Sequence, residues 1–228
     1  MVNIDSVSLA ETLDAVHESF FYSNSIPESD RIQTARWIAS RVGIPGCYAG
    51  MAAPAKNDFS NGIRTFTGEW VRSKAGISHV LGEEACRVLL QLNISEPLVK
   101  EALHRATEGM LQRLIANETT GEVQGLYCCG TCSVAYWRHI LAGGLDKNKA
   151  RLAAGIQTLK SLRTGDGRWR RFPFAYTMLA LSEINSSPAI EEIQYAAPVM
   201  ERYLKRCIIG DKYAGRKQTL YKLILAKC

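Results

Sequence analysis

Three cysteines fall within five residues, at Cys128, Cys129 and Cys132, and form the densest group of reactive side chains in the chain. Cys129-Gly-Thr-Cys132 is a C-x-x-C placed where a helix is expected to begin, with Thr131 as its cap. At a helix N-terminus the macrodipole favours the thiolate, the form that binds metal, exchanges disulfides or attacks electrophiles. His139 follows Cys132 by seven residues, close to two helical turns, which puts both on one face. Cys129, Cys132 and His139, with Cys128 beside them, can therefore be drawn as a three-thiolate, one-imidazole zinc set. The pattern is not specific, because a second C-x-x-C or a histidine pair would be needed for a strong zinc signature. Small cysteines also pack well where helices crowd, and packing is the simplest reading of the cluster. The remaining cysteines, Cys47, Cys86, Cys207 and Cys228, are scattered, so reduced thiols are expected and not a disulfide framework. His17, His79 and His104 show no partner pattern and read as structural or surface residues.

A second constellation is cationic. Arg163-Thr-Gly-Asp-Gly-Arg-Trp-Arg-Arg171 holds four arginines in nine residues, with Lys160 upstream. Guanidinium forks match phosphate bidentately, so Arg168, Arg170 and Arg171 are candidates to hold a diphosphate or a nucleic-acid backbone. Asp166 can neutralise one of these charges, and solvated repeat loops are often basic without a ligand. The net charge of +6 is concentrated in the same half of the chain. From Asp146 onward there are 16 Lys and Arg against 7 Asp and Glu; residues 1–145 carry 12 against 15. Such a half attracts anions at low salt, although a solvated helical surface has the same composition.

The elements that must position these groups are helical. Ser8-Leu-Ala-Glu11 has capping-box spacing, and Ser95-Glu-Pro97 and Ser187-Pro188 place proline in a first helical turn. Apolar residues recur at helical spacing in Leu98, Ala102, Ala106, Met110 and Leu114, in Leu152, Ile156 and Leu159, and in Ile190, Ile193, Ala197, Met200 and Leu204. No convincing strand pattern is visible, and the chain reads as all-α. Three segments then repeat one plan: an apolar helix, a glycine turn, an aromatic, and a second helix with a tyrosine. The loop aromatics Tyr127, Trp169 and Tyr213 are 42 and then 44 residues apart, a period expected of stacked helix pairs. One domain over 1–228 is expected, with units near 29–92, 98–144, 146–185 and 188–227. Residues 43–72 read as a Gly/Pro-rich insertion in the first unit.

Gln157-Thr-Leu-Lys-Ser-Leu-Arg-Thr-Gly-Asp-Gly-Arg-Trp169, followed by Phe172-Pro-Phe-Ala-Tyr-Thr-Met-Leu-Ala-Leu181, resembles the repeat of terpenoid cyclases and protein prenyltransferases. The resemblance is good over about 25 residues and weaker over roughly 110–228. In that superfamily a loop like Asp166-Gly-Arg-Trp169 joins the outer to the inner helix of an α/α toroid. The glutamine usual three residues before the aspartate is Arg163 here. The Asp-x-Asp-Asp motif of the cyclases and the Asp-x-Cys zinc motif of the prenyltransferases are absent, so neither activity is implied. The resemblance implies an incomplete, arc-like α/α toroid; a HEAT-like α-solenoid is the alternative.

The leading expectation is a protein that binds an apolar or isoprenoid-like small molecule on a concave face. The resemblance supplies that ligand class; the residues supply the aromatics Tyr136, Trp137, Phe174 and Tyr176. The alternatives are a non-catalytic scaffold for protein or nucleic acid, and a zinc- or thiol-dependent enzyme using Cys128 to Cys132. Protein partners, including a second copy, rank ahead of nucleic acid. No cofactor is expected, with zinc a possible ion at the thiols. No export signal and no membrane span are visible, and a cytoplasmic location is expected.

Overall fold

A computed structural model describes residues 3–118, 125–206 and 210–227. Among these, ten α-helices account for most of the chain: α1 (Leu9–Phe21), α2 (Glu28–Ser40), α3 (Lys56–Asn61), α4 (Lys74–Leu92), α5 (Pro97–Asn117), α6 (Gly130–Leu141), α7 (Asn148–Ser161), α8 (Phe174–Glu183), α9 (Ser187–Lys205) and α10 (Lys212–Leu225). Cys207 and Cys228 lie outside the described residues.

Ser8 caps α1 as its spacing predicts, and Pro97 and Pro188 fall in the first turns of α5 and α9. Ser8 Oγ accepts from the Glu11 N–H at α1, Ser73 from Gly76 at α4, and Ser186 from Ala189 at α9, each satisfying a donor the helix cannot. Burial sorts the helices. In α6 everything from Cys132 to Ile140 is buried, and in α8 everything from Ala175 to Leu181. A helix apolar on all sides belongs inside a protein, and α4, α6 and α8 form the middle of this one. α6 packs between α4 and α8; α1, α2 and α5 lie against α4 or each other, α7 against α6 and α9, and α10 against α8 and α9. On the outer helices the expected faces hold with end effects: Ala102, Ala106, Met110 and Leu114 are buried, but Leu98 and Ile190 are exposed.

The chain is mostly helical, in keeping with the all-α expectation, and the strands among the described residues are confined to one short hairpin. Residues 43–72 contain α3 and a hairpin, β1 (Ile63–Arg64) and β2 (Trp70–Val71), paired Ile63 to Val71 and Arg64 to Trp70. Strands of two residues are too short for alternation to register. The segment does structural work. The buried Asp58 carboxylate accepts from Ser8 Oγ at 2.7 Å and from the N–H groups of Leu9 and Ala10, placing an anion at the α1 N-terminus. Glu69 Oε1 accepts from the Tyr176 N–H in the first turn of α8.

Charged side chains also enter the middle layer. Glu84 of α4 accepts from Arg138 of α6 and from the Tyr176 hydroxyl of α8. Arg138 reaches Glu183 through Nε at 3.0 Å and Nη2 at 3.1 Å, and Arg87 meets the same carboxylate at 2.9 Å. His17 Nε2 of α1 stands 3.2 Å from Glu84 Oε2. Burial alone would raise the Glu84 carboxyl, but Arg138, His17 and Arg87 outweigh it and hold Glu84 well below the usual carboxylate range. Buried charge of this density is tolerable only when paired, and the pairing ties α1, α4, α6 and α8 together.

Candidate metal centre

The cysteine cluster stands at the start of α6, but the helix begins two residues earlier than its expected cap. Cys129, and not Thr131, is the N-cap, with φ −135° and ψ 175°. Ser133 fixes the loop: its Oγ accepts from the Tyr127 N–H at 2.8 Å and donates to the Tyr127 carbonyl at 3.0 Å. Residues 128–132 are thereby closed over the first turn of α6. Cys128 has φ 57°, a left-handed conformation that costs a non-glycine residue about 1 kcal/mol or more. In extended backbone, adjacent side chains point to opposite sides; this kink breaks the alternation, and the thiols of both Cys128 and Cys129 come close to that of Cys132. Gly130 is required by contact, since a Cβ there would stand 2.9 Å from the Arg171 carbonyl carbon.

Packing accounts for only one of the three cysteines. Cys132 is buried, whereas Cys128 and Cys129 are exposed. Cys129 Sγ lies 3.5 Å from Cys132 Sγ, and the two share a hydrogen bond. That separation is far beyond the roughly 2.05 Å of a disulfide. It is close to the roughly 3.8 Å edge of a tetrahedron with zinc–sulfur bonds of about 2.3 Å. The hydrogen bond with Cys132 and the N–H groups of Cys132 and Thr131 hold the Cys129 thiol down at about 5 against the opposing effect of burial. The same hydrogen bond, reinforced by burial, pushes Cys132 strongly up.

The imidazole of this group is His79, not His139. Ligand atoms of His79, Cys128 and Cys132 all lie within 4.8 Å of one another. His79 sits in the second turn of α4, 7% exposed, between Tyr48 at 4.0 Å and Tyr127 at 5.3 Å, centroid to centroid. The hydroxyls of Tyr48 and Tyr127 hydrogen-bond to each other. His79 Nδ1 is buried without a hydrogen-bond partner, and burial keeps the pKa of the ring below its usual value. A neutral, buried imidazole with an unengaged nitrogen beside thiols is chemically suited to ligate a soft divalent cation.

His139 lies on α6 as its spacing predicts, but its Nδ1 is 2.6 Å from Glu83 Oε2, with both side chains buried. It is absent from the group of converging ligand atoms. Spacing along one helix finds residues that share a face. It cannot find a partner on another helix, and His79 is 49 positions before Cys128. The available signal was the unusual polarity of α4, where His79, Glu83, Glu84 and Arg87 interrupt an otherwise apolar helix opposite Arg138 and His139.

The residues expected to line a concave face divide. Tyr136, Trp137 and Tyr176 are core residues with at most 1% exposure, so they line no open surface. Trp137 Nε1 donates to the Gly125 carbonyl at 2.7 Å and its ring stacks on Phe172. Phe174 and Arg168 instead border a surface cavity with Arg202, Arg206, Lys217 and Tyr221. Arg170 and Arg171 are exposed outside that lining. Arg163 is taken up by Glu192 at 2.8 Å and 3.1 Å. Asp166 caps no helix and accepts from its own turn at Thr164 Oγ1. Trp169 is 4% exposed against α9, with Nε1 donating to Glu192 Oε2 at 2.8 Å. No helix among the described residues is long and apolar enough to cross a membrane. No family model, curated protein or solved structure matches the chain.

Proposed function

We propose that the protein binds one zinc ion through Cys128, Cys129, Cys132 and His79. The observation that carries this reading is the convergence of His79, an imidazole with a buried, unpartnered Nδ1, with the Cys128 and Cys132 thiols within 4.8 Å, and of Cys129 Sγ at 3.5 Å from Cys132 Sγ. Three thiolates and one imidazole form a closed set with no position left for substrate, so the ion's role is structural. It fastens the start of α6 to α4, the two helices that make the largest contact of the core. The test is cobalt substitution of the purified protein. Tetrahedral coordination with thiolate-to-metal absorption is expected, lost in His79→Ala and kept in His104→Ala, an exposed control. Retention of the spectrum in His79→Ala would exclude the proposed ligand set.

A second reading is favoured by a separate observation. A groove of about 430 Å³ is lined mainly by apolar side chains, among them Phe21, Leu179, Ile193, Leu220 and Ile224, with Glu183 and Lys227 at its polar border. Clefts of this size and lining suit a small apolar ligand, which supports an apolar or isoprenoid-like molecule as cargo. The alternation of buried α4, α6 and α8 with flanking α5, α7 and α9 supports an arc-like α/α toroid as the frame. A saturable shift of Trp or Tyr fluorescence on titration with a farnesyl alcohol is expected, and Leu179→Lys should abolish it.

A further inference from the structure

We infer that the cavity bordered by the 163–173 loop, α9 and α10 is a binding site for a small phosphomonoester carrying one flat ring. The basic half of the chain contains two kinds of cation. Arg151, Arg163 and Arg216 are ion-paired with Asp146 and Glu118, with Glu192, and with Asp14 respectively. Arg168, Arg202, Arg206 and Lys217 are different. They come from three separate elements, converge on one cavity of about 260 Å³, and form no ion pair among the described residues. The single carboxylate in the lining, Glu69, is already committed: Oε2 accepts from the hydroxyls of Thr65 and Thr67, and Oε1 from the Tyr176 N–H. Four cations around one engaged carboxylate leave a local surplus of positive charge. Convergent like charges repel, and an anion seated among them relieves the repulsion.

The shape and chemistry of the cavity narrow the ligand. Arg168 holds its guanidinium 4.9 Å from the Phe174 ring centroid, which orients it before any ligand arrives. Phe174 lies 6.0 Å from Tyr221, and Tyr221 lies 5.2 Å from Tyr203, so one wall is aromatic. Guanidinium forks recognise phosphate oxygens bidentately, and the aromatic wall offers a stacking face. The volume falls just below the range of about 300–1,000 Å³ typical of drug-sized ligands, which favours a single ring over a nucleotide.

Phenyl phosphate, inorganic phosphate and phenol are the probes, titrated into the full-length protein by calorimetry at moderate salt. Phenyl phosphate should bind one to one and at least about tenfold more tightly than inorganic phosphate, as ring stacking predicts; phenol should not bind. Arg202→Glu with Lys217→Glu should abolish binding of both phosphates. These side chains are outside the core, and an unchanged melting temperature checks the fold. Phe174→Leu should bring phenyl phosphate close to the affinity of inorganic phosphate. Absence of saturable phenyl phosphate binding, equal affinity for the two phosphates, or binding that survives the double charge reversal would each overturn the proposal. The cavity lining includes none of the proposed zinc ligands, so none of these results bears on the zinc reading.

Discussion

Replacing Trp169 tests whether the loop aromatics hold neighbouring helix pairs together. The indole is 4% exposed, stacks on Phe174 at 6.1 Å, and packs against Tyr195 of α9 at 6.0 Å. Its N–H donates to Glu192, which is fully buried and also receives both contacts from Arg163. Trp169→Ala removes the ring and leaves a cavity, a loss of about 3–5 kcal/mol. Trp169→Phe keeps most of the apolar area but deletes a hydrogen bond to a charged acceptor. Because Arg163 still serves Glu192, the loss should fall at the low end for such bonds, about 1.5 kcal/mol. Urea denaturation of both variants gives the two numbers at constant m-value. A Trp169→Ala loss below about 1 kcal/mol would mean the indole does not bridge to α9. Equal losses in the two variants would assign the effect to the hydrogen bond alone.

Other substitutions probe the site and its frame. Gly130→Ala forces a methyl against the Arg171 carbonyl and should cost about 1–3 kcal/mol while weakening metal retention. Gly215→Ala, a helical position with open space around it, should gain roughly 0.5–1 kcal/mol; a reversed order would refute the packing described for Gly130. Burial would raise the Asp14 carboxyl, but hydrogen bonds and charge from Arg216 and Lys212 outweigh it and hold it below its usual value. A depressed folded-state pKa means that this contribution is present above the unfolded value near 3.9 and is lost as pH falls through the folded one. Asp14→Asn should therefore be about 3 kcal/mol less stable at neutral pH and less sensitive to acid, as read from denaturant midpoints between pH 7 and pH 3. An unchanged acid limb would count against the Asp14–Arg216 pair.

Helices were the legible part of this sequence because their signals are local. Serine caps, proline in a first turn and apolar spacing point to α1, α5, α7 and α9. The contents of 43–72 were hidden because a two-residue strand carries no periodicity. Their importance comes from long-range contacts such as Asp58 with α1 and Glu69 with α8. The cysteine cluster was visible as chemistry, but its histidine was not. Helical spacing pointed to His139, whose Nδ1 pairs with Glu83 and which is absent from the converging ligand atoms, while His79 arrives from α4 through packing alone. Aromatic residues on the inner helices looked like a ligand wall because sequence cannot separate a lining residue from a core residue. The fully buried Tyr136 and Trp137 are core.

Native mass spectrometry of protein purified without chelator reads the zinc site itself. One equivalent of zinc per chain is expected, and chelation should remove it together with part of the stability, because metal binding and folding are coupled. Protein that emerges metal-free, takes up no zinc on addition, and has Cys128 and Cys129 open to thiol reagents would contradict that expectation.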